Sequence, residues 1–208
     1  MRMQPRAVWK VGTTVAVMLW TGSLTAPSSA AGESKRWVLD PTSTEVSFDV
    51  GATGHDIHGS VAVGSGEILF DTATGSASGA IVVGAASALT GNNGRDKTLR
   101  HDVFEADRFP EIRFVPARFT GELPESGTAA VTLEGSIVML GLAHPLSLPA
   151  RVTVSGPRVL AETTFSIPFL EWGLHDPSIM FLRVGKVVAV TVKAAGTLTG
   201  LDAEAPAR

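Results

Sequence analysis

The chain contains no cysteine. Disulfides and thiolate chemistry are therefore excluded, and the fold must rest on its core. No Gly-x-Ser-x-Gly elbow, glycine-rich phosphate loop or His-Glu-x-x-His motif is present, which removes the usual signatures of serine hydrolases, P-loop proteins and zinc proteases. Long hydrophobic runs are missing as well. The most apolar stretch, Val11 to Trp20, is well short of the roughly 20 residues that span a bilayer. It follows Arg2, Arg6 and Lys10 and precedes Ser28-Ser29-Ala30, the pattern of a cleavable secretory leader. The expected division is a leader over residues 1–31, one domain over 32–200 and a loose tail over 201–208, with the chain acting after export, in the periplasm or outside the cell. Basic residues are scarce once the leader is removed: 14 remain against 20 acidic ones, a formal net of −6. An acidic chain argues against general nucleic-acid binding, which needs clustered Lys and Arg.

What the sequence has in abundance is alternation. Val46, Phe48 and Val50 interleave with Glu45, Ser47 and Asp49, as in a strand with one buried face. Val61 and Val63, then Ile68 and Phe70, continue the pattern around the bend Gly64-Ser65-Gly66. Ile81, Val83 and Ala85 follow, then Ile112, Phe114 and Phe119. Long strands are expected through Val131, Leu133, Gly135, Ile137 and Met139, and through Leu146 to Val154. Phe165, Ile167 and Phe169, then Val188, Val190 and Val192, close the series. About eight strands with turn signals between them fit a meander closed as a barrel, or a sandwich. Strand length and bend-permitting glycines favour the barrel. Eight strands leave an interior that side chains fill or that holds one small ligand.

Alternation stops between Ala86 and Pro110. Asn92 or Asn93 can cap a short helix there, with Asp96 in its first turn. Leu99 and Val103, four apart, share one face of it. A helix with one apolar seam in a strand-rich chain suggests a lid or plug on a sheet.

Six segments in order resemble the YceI-like family of exported polyisoprenoid- and lipid-binding proteins. They are Trp37-Val38-Leu39-Asp40-Pro41, Gly66-Glu67-Ile68-Leu69-Phe70-Asp71, Ala86 to Leu99 with Arg95-Asp96-Lys97, Phe109-Pro110-Glu111-Ile112-Arg113-Phe114, Gly135 to Leu146, and Trp172-Gly173-Leu174. The resemblance implies an all-β fold, an extended eight-stranded antiparallel lipocalin-like barrel with a short helical insertion. It also implies an apolar tunnel holding an isoprenoid or fatty-acyl chain, with the polar head near the mouth. The chain departs from the family pattern at Gly51-Ala52, where a histidine and a basic residue are common, and at His144, where a lysine is.

The expected tunnel walls are Phe48, Phe70, Ile81 and Val83 from the first strands, and Phe114, Leu133, Ile137 and Val152 from the middle ones. Phe165, Ile167, Phe169, Val188 and Val190 come from the last strands, and Leu99 and Phe104 from the insertion. A packed core is the alternative for each of them. Ser87, Asn92, Arg95 and Asp96 are the head-group candidates, since arginine's planar fork suits phosphate or carboxylate; equally, they pin the helix to the barrel. His55-Asp56-Ile57-His58 has metal-like spacing without a third or fourth ligand in sight, so neither a metal nor a cofactor is expected. The Trp172–Phe181 loop, extending to Leu182, is either a lip that admits lipid and touches membrane or a cap on the barrel end. An open-ended tunnel also suits a homodimer that covers one end.

Three functions remain open at this level. The first is a non-enzymatic carrier of a hydrophobic small molecule or lipid. The second is an enzyme on a hydrophobic substrate that uses Arg95, Asp96 and His101. The third is a filled barrel that contacts a partner through its surface.

Overall fold

A computed structural model of the chain describes residues 34–178 and 183–201. The expected leader and the tail beyond Leu201 lie outside them. Leu201 itself ends the last strand rather than beginning a tail.

The strands are β1 (Ser34–Leu39), β2 (Glu45–Ala52), β3 (Ile57–Val61), β4 (Val63–Asp71), β5 (Ala77–Gly84), β6 (Glu111–Thr120), β7 (Gly127–Met139), β8 (Leu142–Ser155), β9 (Arg158–Ile167) and β10 (Val184–Leu201). These ten segments occupy eight positions. β1 and β2 run end to end, interrupted by a tight turn at Pro41–Ser43, and β3 and β4 do the same around Ala62. The turn is local chemistry: Asp40 accepts from the Thr42 amide at 3.0 Å and from the Thr42 and Ser43 hydroxyls at 2.7 and 2.8 Å, as an Asx turn does. Neighbours pair antiparallel in the order β1-β4-β5-β6-β7-β8-β9-β10, and β10 returns to β1, closing the ring. The eight-stranded antiparallel barrel expected from the sequence is therefore the fold observed.

β10 makes the closure. Along one edge it pairs with β9, Val188 opposite Ile167 through Thr197 opposite Arg158. Along the other it pairs first with β2, from Val184 to Lys193, and then with β1, from Gly196 to Leu201. Its apolar period continues inward beyond Val192, with Ala194 and Gly196 buried. β9 starts earlier than the sequence suggested, and its Val159 and Ala161 join the core cluster or pack against it. Between β7 and β8, Leu140 and Gly141 have φ of 50° and 77°, the paired positive angles of a two-residue hairpin that follows strand twist.

The insertion between β5 and β6 holds helix α1 (Asn93–Thr98), capped as expected by Asn92, whose side chain accepts from the Arg95 amide at 3.0 Å. The regular helix ends sooner than expected. A wider turn over Leu99–Val103 follows, in which the Phe104 amide reaches back five residues to the Leu99 carbonyl at 2.9 Å. That turn points Leu99, Val103 and Phe104 at the barrel interior.

Candidate functional site

Inward alternation on every strand leaves hydrocarbon around the axis, and the hydrocarbon does not fill it. A cavity of about 260 Å³ runs through the larger part of the barrel, and a second of about 70 Å³ lies beyond it. No charged side chain lines either one among the described residues. Among the described residues, Thr44, Thr163 and the Trp37 indole carry the only polar side-chain atoms on the walls.

Each expected wall residue borders one of these spaces. Phe48, Ile81, Val83, Leu99, Phe104 and Phe114 face the larger, as do Ile137, Phe165, Ile167, Phe169, Val188 and Val190. Phe70 and Val152 face the smaller, and Leu133 borders both. Many of them, Phe48, Val83, Phe165 and Val188 included, are only half-buried although they point inward, as side chains beside open space must be. Trp37 and Leu39 also line the larger cavity, although the expected walls do not include the segment Trp37-Val38-Leu39. Its two-residue alternation was the available signal.

Apolar side chains line both ends. At one, Leu99, Val103 and Phe104 from the insertion share the cavity wall with Leu174 and Pro177 from the segment after β9. There Trp172 stacks on His144, ring centroids 4.4 Å apart and 6° from parallel. The described part of the Trp172 loop contributes Leu174 and Pro177 to the cavity wall at this end; Ile179 to Leu182 lie outside the described residues. At the other end Phe70 and Phe119 meet edge to face at 5.3 Å, beside Leu123.

The head-group candidates stand elsewhere. Asp96 is buried, and its carboxylate accepts from the Thr90 amide at 2.7 Å and the Thr90 hydroxyl at 2.5 Å. Arg95 donates to that hydroxyl oxygen at 2.7 Å and to the Thr90 carbonyl at 2.9 Å. Arg100 adds a fork onto the Ala88 carbonyl at 3.0 and 2.9 Å. Ser87 accepts from the Ala62 amide at 2.8 Å and donates to the Gly84 carbonyl at 2.6 Å. Ser87, Arg95, Asp96 and Arg100 form a clasp that folds Ala88–Thr90 onto the helix and ties the insertion to the β3–β4 junction. Neither cavity is lined by Ser87, Asn92, Arg95 or Asp96.

The Thr90 hydroxyl, then its amide, with Arg100 and Arg95 adding, hold the Asp96 carboxyl below the usual carboxylate range against the opposing effect of burial. Asp40 and Asp71 are lowered too, by the Thr42 and Ser43 hydroxyls and by the Thr74 amide respectively. A carboxylate whose folded pKa is depressed stabilises the fold fully above its unfolded value, about 3.9, and loses that contribution as pH falls through the folded value. Thermal stability should therefore be level from neutral pH to about 5 and fall steeply below about 4; a midpoint that rises on acidification would contradict these assignments. Asp96→Ala should loosen the clasp without opening the barrel. Amide exchange over residues 88–100 should rise roughly tenfold or more while β7 and β8 stay protected, measured by hydrogen–deuterium exchange.

His101 pairs with Asp107 at 3.0 Å on the surface, and His58 with Asp49. Arg95, Asp96 and His101 therefore do not converge on one cavity. Among the described residues no group of three or more potential ligands is poised for a metal. The chemistry this interior can offer is exclusion of water from hydrocarbon.

These features define a closed lipocalin-like β-barrel with an apolar internal chamber. The chain belongs to the YceI-like domain family, whose model matches residues 37–196. Among solved structures, a polyisoprenoid-binding domain from Saccharophagus degradans, implicated in plant cell wall breakdown, is similar with a TM-score of 0.64 and 14% identity, over 78% of this chain and 98% of that one. BcnA of Burkholderia cenocepacia is similar with a TM-score of 0.62 and 15% identity, over 76% of this chain and 98% of that one. At such identities the likeness speaks for the fold. A comparison with curated proteins gave no match.

Proposed function

We propose that this protein binds one long apolar chain, a polyisoprenoid or fatty-acyl lipid, inside the barrel and carries or stores it after export, without catalysis. The observation that carries the proposal is the uncharged cavity of about 260 Å³ along the axis. Family membership and the polyisoprenoid-binding domain of Saccharophagus degradans support it.

Magnitudes select the ligand class. Burial gains roughly 0.8 kcal/mol per methylene, while association costs about 4–15 kcal/mol in lost freedom. A fragment of a few carbons does not recover that cost. A chain of about 15 carbons gains roughly 12 kcal/mol before costs, which exceeds most of that range. With so few polar atoms on the walls, selectivity comes from length and shape.

Mass spectrometry of lipid extracted from natively purified protein tests the proposal. A stoichiometric apolar chain is expected in the extract. An empty extract, together with failure to take up added farnesol or palmitate, would refute it.

A further inference from the structure

We propose that Trp37 is a length gauge: its indole closes the larger chamber to the ligand tail and so sets the longest chain that binds fully buried. The inference rests on the proposed function and adds a specificity-determining residue to it.

Five side chains border both chambers: Trp37, Ile68, Leu133, Ala150 and Ala161. They mark the constriction between the two. Trp37 is the largest of them and is only 6% exposed. Leu133 stands on β7, four strand positions around the ring from β1. The two alanines on β8 and β9 leave free width, so the indole sets the remaining bore. Beyond the constriction lies the smaller chamber of about 70 Å³, bordered by Phe70, Phe119 and Leu123. A tail that could pass Trp37 would gain that space.

The indole is also held in place. A Cβ added at Gly196 would lie 2.4 Å from Trp37 Nε1 and 2.5 Å from the Val38 carbonyl oxygen. The absent side chain on β10 is the seat in which the ring lies. Seated there, the Nε1–H is buried and has no hydrogen-bond partner among the described residues. A stranded donor is a cost that phenylalanine or leucine would avoid. Because strand β10 covers the nitrogen, a ligand gains nothing from it. What tryptophan alone supplies here is the width of a double ring.

The test measures affinities of the full mature chain for geraniol, farnesol, geranylgeraniol and solanesol, by native mass spectrometry and fluorescence competition. In the wild type, affinity should rise with each isoprene unit and then level off. Trp37→Leu should move the plateau at least one unit longer and tighten the first longer prenol at least about fivefold, by exposing new apolar wall. Val131→Phe, at a residue that borders only the smaller chamber, narrows that space; it should leave the wild-type plateau where it is and cancel the gain of Trp37→Leu in the double variant. Trp37→Phe, which trims one ring, should shift the plateau in the same direction by less and serves if the leucine variant does not fold. An unchanged plateau in both Trp37 variants, or a plateau shortened by Val131→Phe alone, would overturn the gauge while leaving lipid binding intact. A wild type that takes up none of the four prenols would remove the proposed function and the gauge with it.

Discussion

Val190→Asp should abolish retention of an apolar ligand, while Val187→Asp, three residues away on the same strand, should leave it intact. Val190 is buried on the wall of the larger chamber, and Val187 is 51% exposed on the outer face. The two substitutions change β propensity equally, so the difference reports only which side of the sheet receives the carboxylate. A carboxylate with no partner costs several kcal/mol in apolar surroundings. If water enters to solvate it, the chamber is wet and hydrocarbon no longer prefers it. Binding of farnesol should weaken by roughly a hundredfold or more, measured on variants whose circular dichroism matches the wild type. Equal losses from both variants, or none from Val190→Asp, would mean that the ligand does not lie in the barrel.

The second large effect concerns shape. Gly135 sits at an inward position of β7, opposite Pro116 where the β6 register shifts. A Cβ there would lie 2.3 Å from the Val115 carbonyl oxygen and 2.9 Å from the Pro116 Cα. Both obstacles are backbone, so no side-chain rotation relieves them. Gly135→Val should destabilise the barrel by about 3 kcal/mol, a fall in melting temperature of roughly 6–12 °C for a domain of this size. Glycine at this point lets two strands approach closely as the sheet coils. Gly127→Ala, at a site with φ of 95° but open space around it, separates contact from backbone strain; it should cost clearly less. A melting temperature of Gly135→Val within a degree or two of the wild type would show that β6 and β7 separate there without penalty.

The strands were legible where chemistry alternates strongly. Between Glu45 and Val50, and between Val131 and Met139, each inward residue is apolar or glycine and the period cannot be mistaken. Legibility faded where inward residues are small. Ala161 on β9, and Ala194 with Gly196 on β10, carry too little hydrophobic contrast to mark a face, so both strands were drawn short. The wall residues followed from alternation, because facing inward is a property of the backbone period. Partners of polar groups are not. Arg95 and Asp96 had the right chemistry for a charged ligand, yet Thr90 takes up both of them. That pairing depends on how Ala88–Thr90 turns back on the helix, which no local pattern specifies. Likewise the constriction at Trp37 arises from five residues on five strands, and only closure of the ring brings them together.

That closure has a kinetic meaning. β10 comes last among the described strands and supplies the edges of β9, β2 and β1 at once. Ser34 meets Leu201 across nearly the whole length of the described chain. Until β10 emerges from the ribosome, β1 and β2 each lack a neighbour. The ring cannot seal before β10 is made, and its folding is governed by high contact order, on a scale of milliseconds to seconds rather than microseconds. During that interval the inner faces stand open to solvent, which gives a greasy guest its widest opportunity to be enclosed as the cylinder shuts.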